Sequence, residues 1–174
     1  MIHIRKSNKA DAPALTKIWR ASVLATHDFL SRDDFLEIEK LVAEQYLPNV
    51  EVWLIEDAGK PVGFMGMSEC HIDSLFIAPD QRGKGIGKQM IAYAKTLGSP
   101  LTVDVNEQNL QGIGFYRHMG FVETGRSETD DQGRPYPCFI YGWQPTIDIL
   151  PIVYSFNGNR EFPCRIHRKT RSAP

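Results

Sequence analysis

The 174-residue chain has no run of about 18 apolar residues, so no segment reads as a membrane-spanning helix. Its opening, Met1-Ile2-His3-Ile4-Arg5-Lys6, lacks the apolar core of a secretory signal, and a cytoplasmic protein is expected. Cysteine is scarce. Cys70, Cys138 and Cys164 make an odd, widely spaced set, with no Cys-x-x-Cys and no Cys/His pair at ligand spacing. That argues against a disulfide scaffold and a structural zinc site; free thiols and no metal are expected. An excess of one charge is missing too: Lys plus Arg number 20, Asp plus Glu 21, for a net charge of −1. Such a balance argues against holding nucleic acid or a membrane surface by bulk charge. Repeats and low-complexity tracts are absent. What remains is an ordinary globular composition, 42% hydrophobic and 24% charged, in a chain long enough to bury roughly 70% of its unfolded surface.

The pattern along the chain alternates strands with helices. Ile2 and Ile4 alternate with polar residues, as in a short strand. Asp11 opens a helical stretch that tolerates Pro13 in its first turn and carries Leu15, Ile18, Trp19, Ser22 and Val23 at helical spacing. Ser31 and Asp34 form a capping pair for a second helix, with Phe35, Ile38, Leu41, Val42 and Tyr46 as its stripe and Pro48 as its stop. A strand at Val52–Glu56, a turn at Asp57-Ala58-Gly59-Lys60 and a strand from Val62 to Ser68 make a hairpin. His71–Ile77 is the next strand. A glycine-rich loop, a helix with Ile86, Met90, Ile91, Tyr93, Ala94 and Leu97 buried, and a strand at Leu101–Val105 follow. A short helix from Asn109 to Met119 ends at Gly120, a left-handed cap. Phe121–Gly125 and Phe139–Trp143 close the chain as a hairpin around Asp130-Asp131-Gln132-Gly133. The order β-α-α-β-β-β-α-β-α-β-β implies an α/β (α+β) fold with a central mixed sheet flanked by helices.

The strongest local signal is Arg82-Gly83-Lys84-Gly85-Ile86-Gly87, between a strand and a helix. Glycines let the backbone approach a ligand closely, and a helix N-terminus offers unpaired N–H groups and partial positive charge. Together they suit a pyrophosphate. The dinucleotide fingerprint fails on spacing, with glycines at Gly83, Gly85 and Gly87. The nucleoside-triphosphate loop fails because Gly87-Lys88 is followed by Gln89.

The pattern that fits is Arg/Gln-x-x-Gly-x-Gly, met by Arg82, Gly85 and Gly87. Here the chain resembles the GNAT superfamily of acetyl-CoA-dependent N-acetyltransferases. Leu75-Phe76-Ile77-Ala78-Pro79 is similar to that family's strand entering the loop. The segment from Asn109 to Phe121 is similar to its N-x-x-A-x-x-F-Y-x-x-x-G-F helix, with Gly112 in place of the alanine. The resemblance covers about residues 2 to 143 and is strongest to small bacterial members. It implies a GNAT acyl-CoA N-acyltransferase fold over residues 1–144, with 145–174 as an extension carrying no family motif.

The resemblance also implies roles. Backbone groups of Leu75, Phe76 and Ile77 would pair with the pantetheine arm like an added strand. N–H groups from Gly83 through Lys84, Gly85, Ile86 and Gly87 to Lys88 would hold the pyrophosphate of acetyl-CoA. Arg82 and Lys84 would add positive charge, Lys84 and Lys88 being equally suited to a solvated face. Asn109 would cap its helix and touch the cofactor. Tyr116 would protonate the departing thiolate, its neighbour Phe115 pointing away to anchor the helix; a phenol is protonated at pH 7. Some relatives place a glutamate on the equivalent strand to deprotonate the amine through water. Here His71, Glu69 and Asp73 are the candidates, and strict alternation puts His71, Asp73 and Leu75 on one face. His27 and Tyr136 would line the acceptor pocket.

The expected reaction is acetyl transfer from acetyl-CoA to a small-molecule or peptide amine, by direct attack in a ternary complex. The expected assembly is a monomer or homodimer, without nucleic acid or membrane. A non-enzymatic acyl-CoA sensor on the same fold is the second reading, motivated by the extension. Residues 1 to 144 carry 15 basic and 19 acidic side chains (−4), and 145 to 174 carry 5 and 2 (+3). The near-neutral total is thus a sum of two unlike parts. In the extension, Ile147–Tyr154 suits an edge strand or a partner contact.

Overall fold

The computed structural model describes residues 1–145 and the backbone of 165–166. Seven strands form one sheet in the order β1-β2-β3-β4-β6-β8-β7: β1 (Ile2–Lys6), β2 (Trp53–Asp57), β3 (Lys60–Ser68), β4 (His71–Ile77), β6 (Leu101–Asn106), β7 (Val122–Ser127) and β8 (Cys138–Trp143). All neighbours are antiparallel except β4 and β6. A separate ribbon pairs β5 (Gly98–Ser99) with β9 (Arg165–Ile166). Among the described residues the α-helices are α1 (Ala12–Leu24), α2 (Arg32–Leu41), α3 (Ile86–Leu97) and α4 (Leu110–His118). The element order and the mixed sheet agree with the expectation from sequence; the segment Ile147–Tyr154 lies outside the described residues.

Local chemistry explains the ends. Asn8 caps a short 3-10 turn before α1, and Asp11 reaches back to the Asn8 N–H at 2.8 Å while its carboxylate takes two donors of Arg5 at 2.9 Å. Asp11 is therefore a capping-box partner rather than a side-chain cap for α1. Ser31 Oγ accepts from the Asp34 N–H at 3.1 Å, as expected of an N-cap. The last turn of the second helical stretch, Val42–Tyr46, widens to a π-helix. Ala58 and Gly59 both have positive φ in the β2–β3 turn, as a two-residue hairpin turn demands.

Strand alternation sorts the sheet into two cores. Leu54, Phe64 and Phe76 are successive cross-strand partners on the face covered by α1, with Leu15, Ile18, Trp19 and Val23. Trp53, Met65 and Leu75 form the opposite row, packed with Met90 and Ile91 of α3, Ile113 and Tyr116 of α4, and Leu101, Val103 and Val105 of β6. Full burial of a side chain such as Phe64 or Met65 contributes roughly 1.5–3 kcal/mol over leaving it exposed. Gly66 is needed for proximity: a Cβ there would lie 2.0 Å from the Tyr46 hydroxyl, which makes a 3.3 Å hydrogen bond to Ser74.

One irregularity controls the site. Gly66 pairs with Ser74 but Met67 pairs with Ile72, leaving Asp73 as an extra residue in β4. This bulge reverses the phase of the strand. Ile72, Leu75 and Ile77 all pack on the α3/α4 side, whereas Phe76 packs on the α1 side and Ser74 bonds Tyr46. The alternation that grouped His71 with Leu75 is thereby overturned.

Cys138 is a buried free thiol as expected, whereas Cys70 is disulfide-bonded, which corrects the free-thiol expectation for that residue.

Candidate active site

Pairing between the two parallel strands stops early. His71 faces Thr102 and Ile72 faces Val103, and beyond these two pairs β4 and β6 diverge. The wedge so opened leaves the facing edges of residues 73–77 and 104–106 without a strand partner across it. It forms a cleft of about 540 Å³. Its walls are Asp73 through Ile77 of β4 and Val103 through Asn106 of the β6 segment; the glycine loop and α3 N-terminus, α4, and Thr26 and His27 complete it.

The loop end is built for an anion. Gly83 and Gly85 have φ of +75° and +79°, and Gly85 is the N-cap of α3. A Cβ at either glycine would meet nothing within 4 Å, so the left-handed backbone alone requires glycine there. The loop thereby turns into α3 with its first N–H groups unpaired at the cleft, where the helix dipole favours negative charge. Gly87 has a different reason: a Cβ would stand 3.0 Å from the Phe115 ring, so α3 and α4 touch here. Lys88 lines the cleft, and Lys84 donates at 3.0 Å to Oε1 of Gln81, which lines it too. Arg82 lines the cleft, where the resemblance implies that its positive charge is used, and it also braces the fold. It donates to the carbonyls of Ile77 and Ser22, each at 3.3 Å, and to Gln111 Oε1 at 2.8 Å. It ties β4, α1 and α4 together at the mouth of the cleft. Because these residues offer N–H donors, a helix N-terminus and an unpaired strand edge, they fit the pyrophosphate and the amide-bearing arm of coenzyme A.

Tyr116 is buried at the inner end of the cleft. Burial pushes its pKa above the ordinary tyrosine value, so the phenol stays protonated across neutral pH. Phe115 does not point away from the site as expected. It lines the same cleft, edge-on to Tyr116 at 5.1 Å between centroids, with its ring against Gly87 of α3. Asn109 caps α4, its Oδ1 accepting from the Gly112 N–H at 2.9 Å, and it lines the cleft. The alanine-to-glycine departure has a steric reason: a Cβ at Gly112 would lie 2.8 Å from Asn109 Nδ2 and 3.2 Å from Val105.

The expected base is displaced. His71 lies outside the cleft walls, its Nδ1 2.9 Å from Thr102 Oγ1 on the neighbouring strand. The bulge is the cause, since it turns His71 away from the Leu75 face. Glu69 sits at positive φ in the β3–β4 turn. Of the three candidates, Asp73 alone lines the cleft, its Oδ2 accepting from Ser68 Oγ at 2.7 Å.

At the other end, Tyr136 stands apart from the cleft walls. Its hydroxyl donates to Asp34 and accepts from the Ser31 N–H at 3.2 Å. Arg134 beside it reaches Glu37 at 2.9 Å, and Asp34 and Asp130 at longer range. The Ser31 hydroxyl and then Tyr136 hold the Asp34 carboxyl below its ordinary pKa. A ladder of rings, His27 to Phe29 at 5.2 Å and Phe29 to Tyr136 at 6.0 Å, joins this clamp to the cleft. The clamp was not legible in sequence, since its two halves lie about a hundred residues apart. Burial first, then the carboxylates of Asp104, Asp131, Asp130 and Glu107, push the Cys138 thiol up to about 11. A thiol so protonated is a poor nucleophile.

Comparison with known proteins agrees with this geometry. An acetyltransferase (GNAT) domain family model matches residues 48–123. The peptidyl-lysine N-acetyltransferase YjaB of Salmonella typhimurium is 52% identical over 138 residues, covering 79% of this chain and 94% of that protein. The solution structure of apo YjaB from Escherichia coli superposes with a TM-score of 0.78 at 45% identity, over 82% of this chain and 97% of the other. The PaiA N-acetyltransferase of Thermoplasma acidophilum, solved in complex with coenzyme A, has a TM-score of 0.68 over 83% of this chain and 99% of its own; at 20% identity it shares the fold. A splayed parallel pair, a glycine loop on a helix N-terminus and a buried tyrosine in one cleft thus meet a family match and a close full-length relative, and the chain belongs to the GNAT superfamily of N-acetyltransferases.

Proposed function

We propose that this acetyltransferase modifies the side-chain amine of lysine in peptides or proteins, taking its acetyl group from acetyl-CoA in a ternary complex. The observation that carries the reading is the wedge between β4 and β6. It brings an anion-binding loop, an unpaired strand edge and Tyr116 to one cleft. Two relatives at 52% and 47% identity carry the name peptidyl-lysine N-acetyltransferase, which supports a peptidyl-lysine acceptor.

Acetyl-CoA supplies the activated acyl group. The loop N–H groups of residues 83–88 bind its pyrophosphate, and the edge of Leu75, Phe76 and Ile77 aligns its arm as an added strand. Tyr116 delivers the proton that the sulfur gains as the C–S bond breaks, a task that its burial supports by disfavouring the phenolate. Asp73 takes the proton that the ammonium must lose before its nitrogen can form the C–N bond. The Tyr136 clamp, with Phe29 packed on its ring, shapes the acceptor end. Residues 1–144 carry these parts. A cytoplasmic site of action is part of the proposal; among the described residues no helix is long and apolar enough to cross a membrane.

Titration calorimetry with acetyl-CoA, followed by mass spectrometry of a lysine peptide, tests the reading. Wild-type protein should bind saturably and add one acetyl group to the lysine. Gly85→Glu should weaken binding at least about 100-fold, because it strains a left-handed position and places a carboxylate at the anion site. Absence of saturable binding, or binding indifferent to Gly85→Glu, would refute it.

A further inference from the structure

His27 has a defined tautomer and a defined neighbourhood. Thr26 Oγ1 donates to the Ser22 carbonyl at 2.9 Å. The single hydroxyl proton is thereby committed, so toward His27 Nδ1, 2.8 Å away, Thr26 Oγ1 can act only as an acceptor. Nδ1 must carry the ring's hydrogen, and Nε2 is left with a bare lone pair. His27 lines the cleft, so the ring offers it a hydrogen-bond acceptor. Burial and the nearby Arg82 charge hold the imidazole pKa at about 4, so the ring is neutral at physiological pH and makes a poor base for a lysine ammonium.

The position along the cleft follows from the same contacts. Ser22, whose carbonyl anchors Thr26, also receives Arg82 Nη2 at 3.3 Å. Ser22 Oγ donates to the Ile77 carbonyl at 2.8 Å, and Arg82 Nε reaches that carbonyl at 3.3 Å. The end of α1 is therefore pinned to the last residue of β4, where the anion loop begins. This is the stretch between the pyrophosphate and the thioester, along which the donor's arm presents amide N–H groups. A bare acceptor on a residue that lines this cleft complements an amide donor.

We infer that His27 is a donor-side specificity residue, whose Nε2 accepts a hydrogen bond from an amide N–H of the pantetheine arm, in place of the acceptor-pocket role expected from sequence. The inference rests on the coenzyme A reading above. The balance of groups is simple: one neutral acceptor meets one neutral donor, and no proton moves.

The experiment compares coenzyme A with its nucleotide half, a phosphorylated ADP that lacks the arm, by calorimetry on the full chain. His27→Ala should weaken coenzyme A about 10-fold, the size of one lost hydrogen bond, and leave the nucleotide half within about twofold. His27→Gln, whose amide oxygen can accept, should recover part of the loss. Thr26→Val, which frees the tautomer without removing the ring, should weaken coenzyme A by a smaller factor, and nitrogen NMR of the wild-type ring should show Nδ1 protonated. Equal loss for both ligands would overturn the proposal in favour of an effect through Arg82. Unchanged coenzyme A affinity would overturn it as well, and if the acceptor KM then rises, His27 belongs to the acceptor end. A wild-type chain that binds no coenzyme A would remove the reading beneath it.

Discussion

The proposed donor and acceptor ends of the site are made of different material. The donor end is mostly backbone: two left-handed glycines, the N-terminus of α3 and the unpaired edge of β4. The proposed acceptor end, beyond the cleft walls, is made of side chains from distant loops: Tyr136 and Arg134 of the β7–β8 connection on Ser31, Asp34 and Glu37 at the start of α2. A backbone site tolerates change in side chains but not in φ, and it binds one invariant ligand. A side-chain site can be rebuilt residue by residue, which suits an acceptor that differs between relatives.

The comparison can be broken most severely between its halves, at Tyr116. Tyr116→Phe removes only the proton donor and should lower kcat by at least about 100-fold. Acetyl-CoA affinity should stay within about twofold, as calorimetry beside stopped-flow thiol release would show; retained turnover would move the acid elsewhere. In the wild type, activity should show no alkaline loss at the ordinary tyrosine value of 10, since burial raises this phenol.

Acid comes next. The pKa of His27 in the folded state, about 4, lies below its ordinary 6.5. Between those values the unfolded chain binds more protons, so stability falls as pH drops from 6.5 toward 4 and is fully present above 6.5. The loss is at most about 3 kcal/mol for a shift of this size. Urea unfolding at neutral and acidic pH should show it in the wild type, and His27→Gln should flatten the dependence. An equally steep variant would assign the acid sensitivity to other groups.

A smaller effect tests the acceptor end alone. Tyr136→Phe loses the bonds to Asp34 and Ser31, which should cost about 1 kcal/mol of stability and raise the acceptor KM several-fold. Acetyl-CoA affinity should not move; if it does, the two ends are not independent. The smallest effect belongs to Gly112→Ala. Helix propensity gains up to about 1 kcal/mol, but the new methyl crowds the Asn109 cap, so the net change should stay within about 0.5 kcal/mol in thermal unfolding.

Legibility in the sequence follows the same division. The loop from Arg82 to Lys88 and the helix from Asn109 to Gly120 could be read because their constraints are local: a positive φ, a cap, a helical spacing. Asn109 and Tyr116 stand in the cleft for that reason. The placement of His71 failed because alternation assumes an uninterrupted strand. The bulge at Asp73 exists only relative to β3, and no residue of β4 announces it. Arg82 was read as a cation for phosphate and does line the cleft, but the brace it makes could not be read, because its partners Ser22 and Gln111 come from helices 60 residues before it and 29 residues after it. Tyr136 was named for the acceptor end, yet what it grips, Asp34, could not be named.

The sequence by itself determined the order of elements, the anion loop and the tyrosine-bearing helix, because short-range sterics and periodic burial act within a few residues. Tertiary structure decided where β4 parts from β6, which face His71 takes and what Arg82, His27 and Tyr136 bind. Those outcomes depend on register and on side chains brought together across the fold, and a hydrogen bond acts only over the few ångströms that folding leaves between its partners.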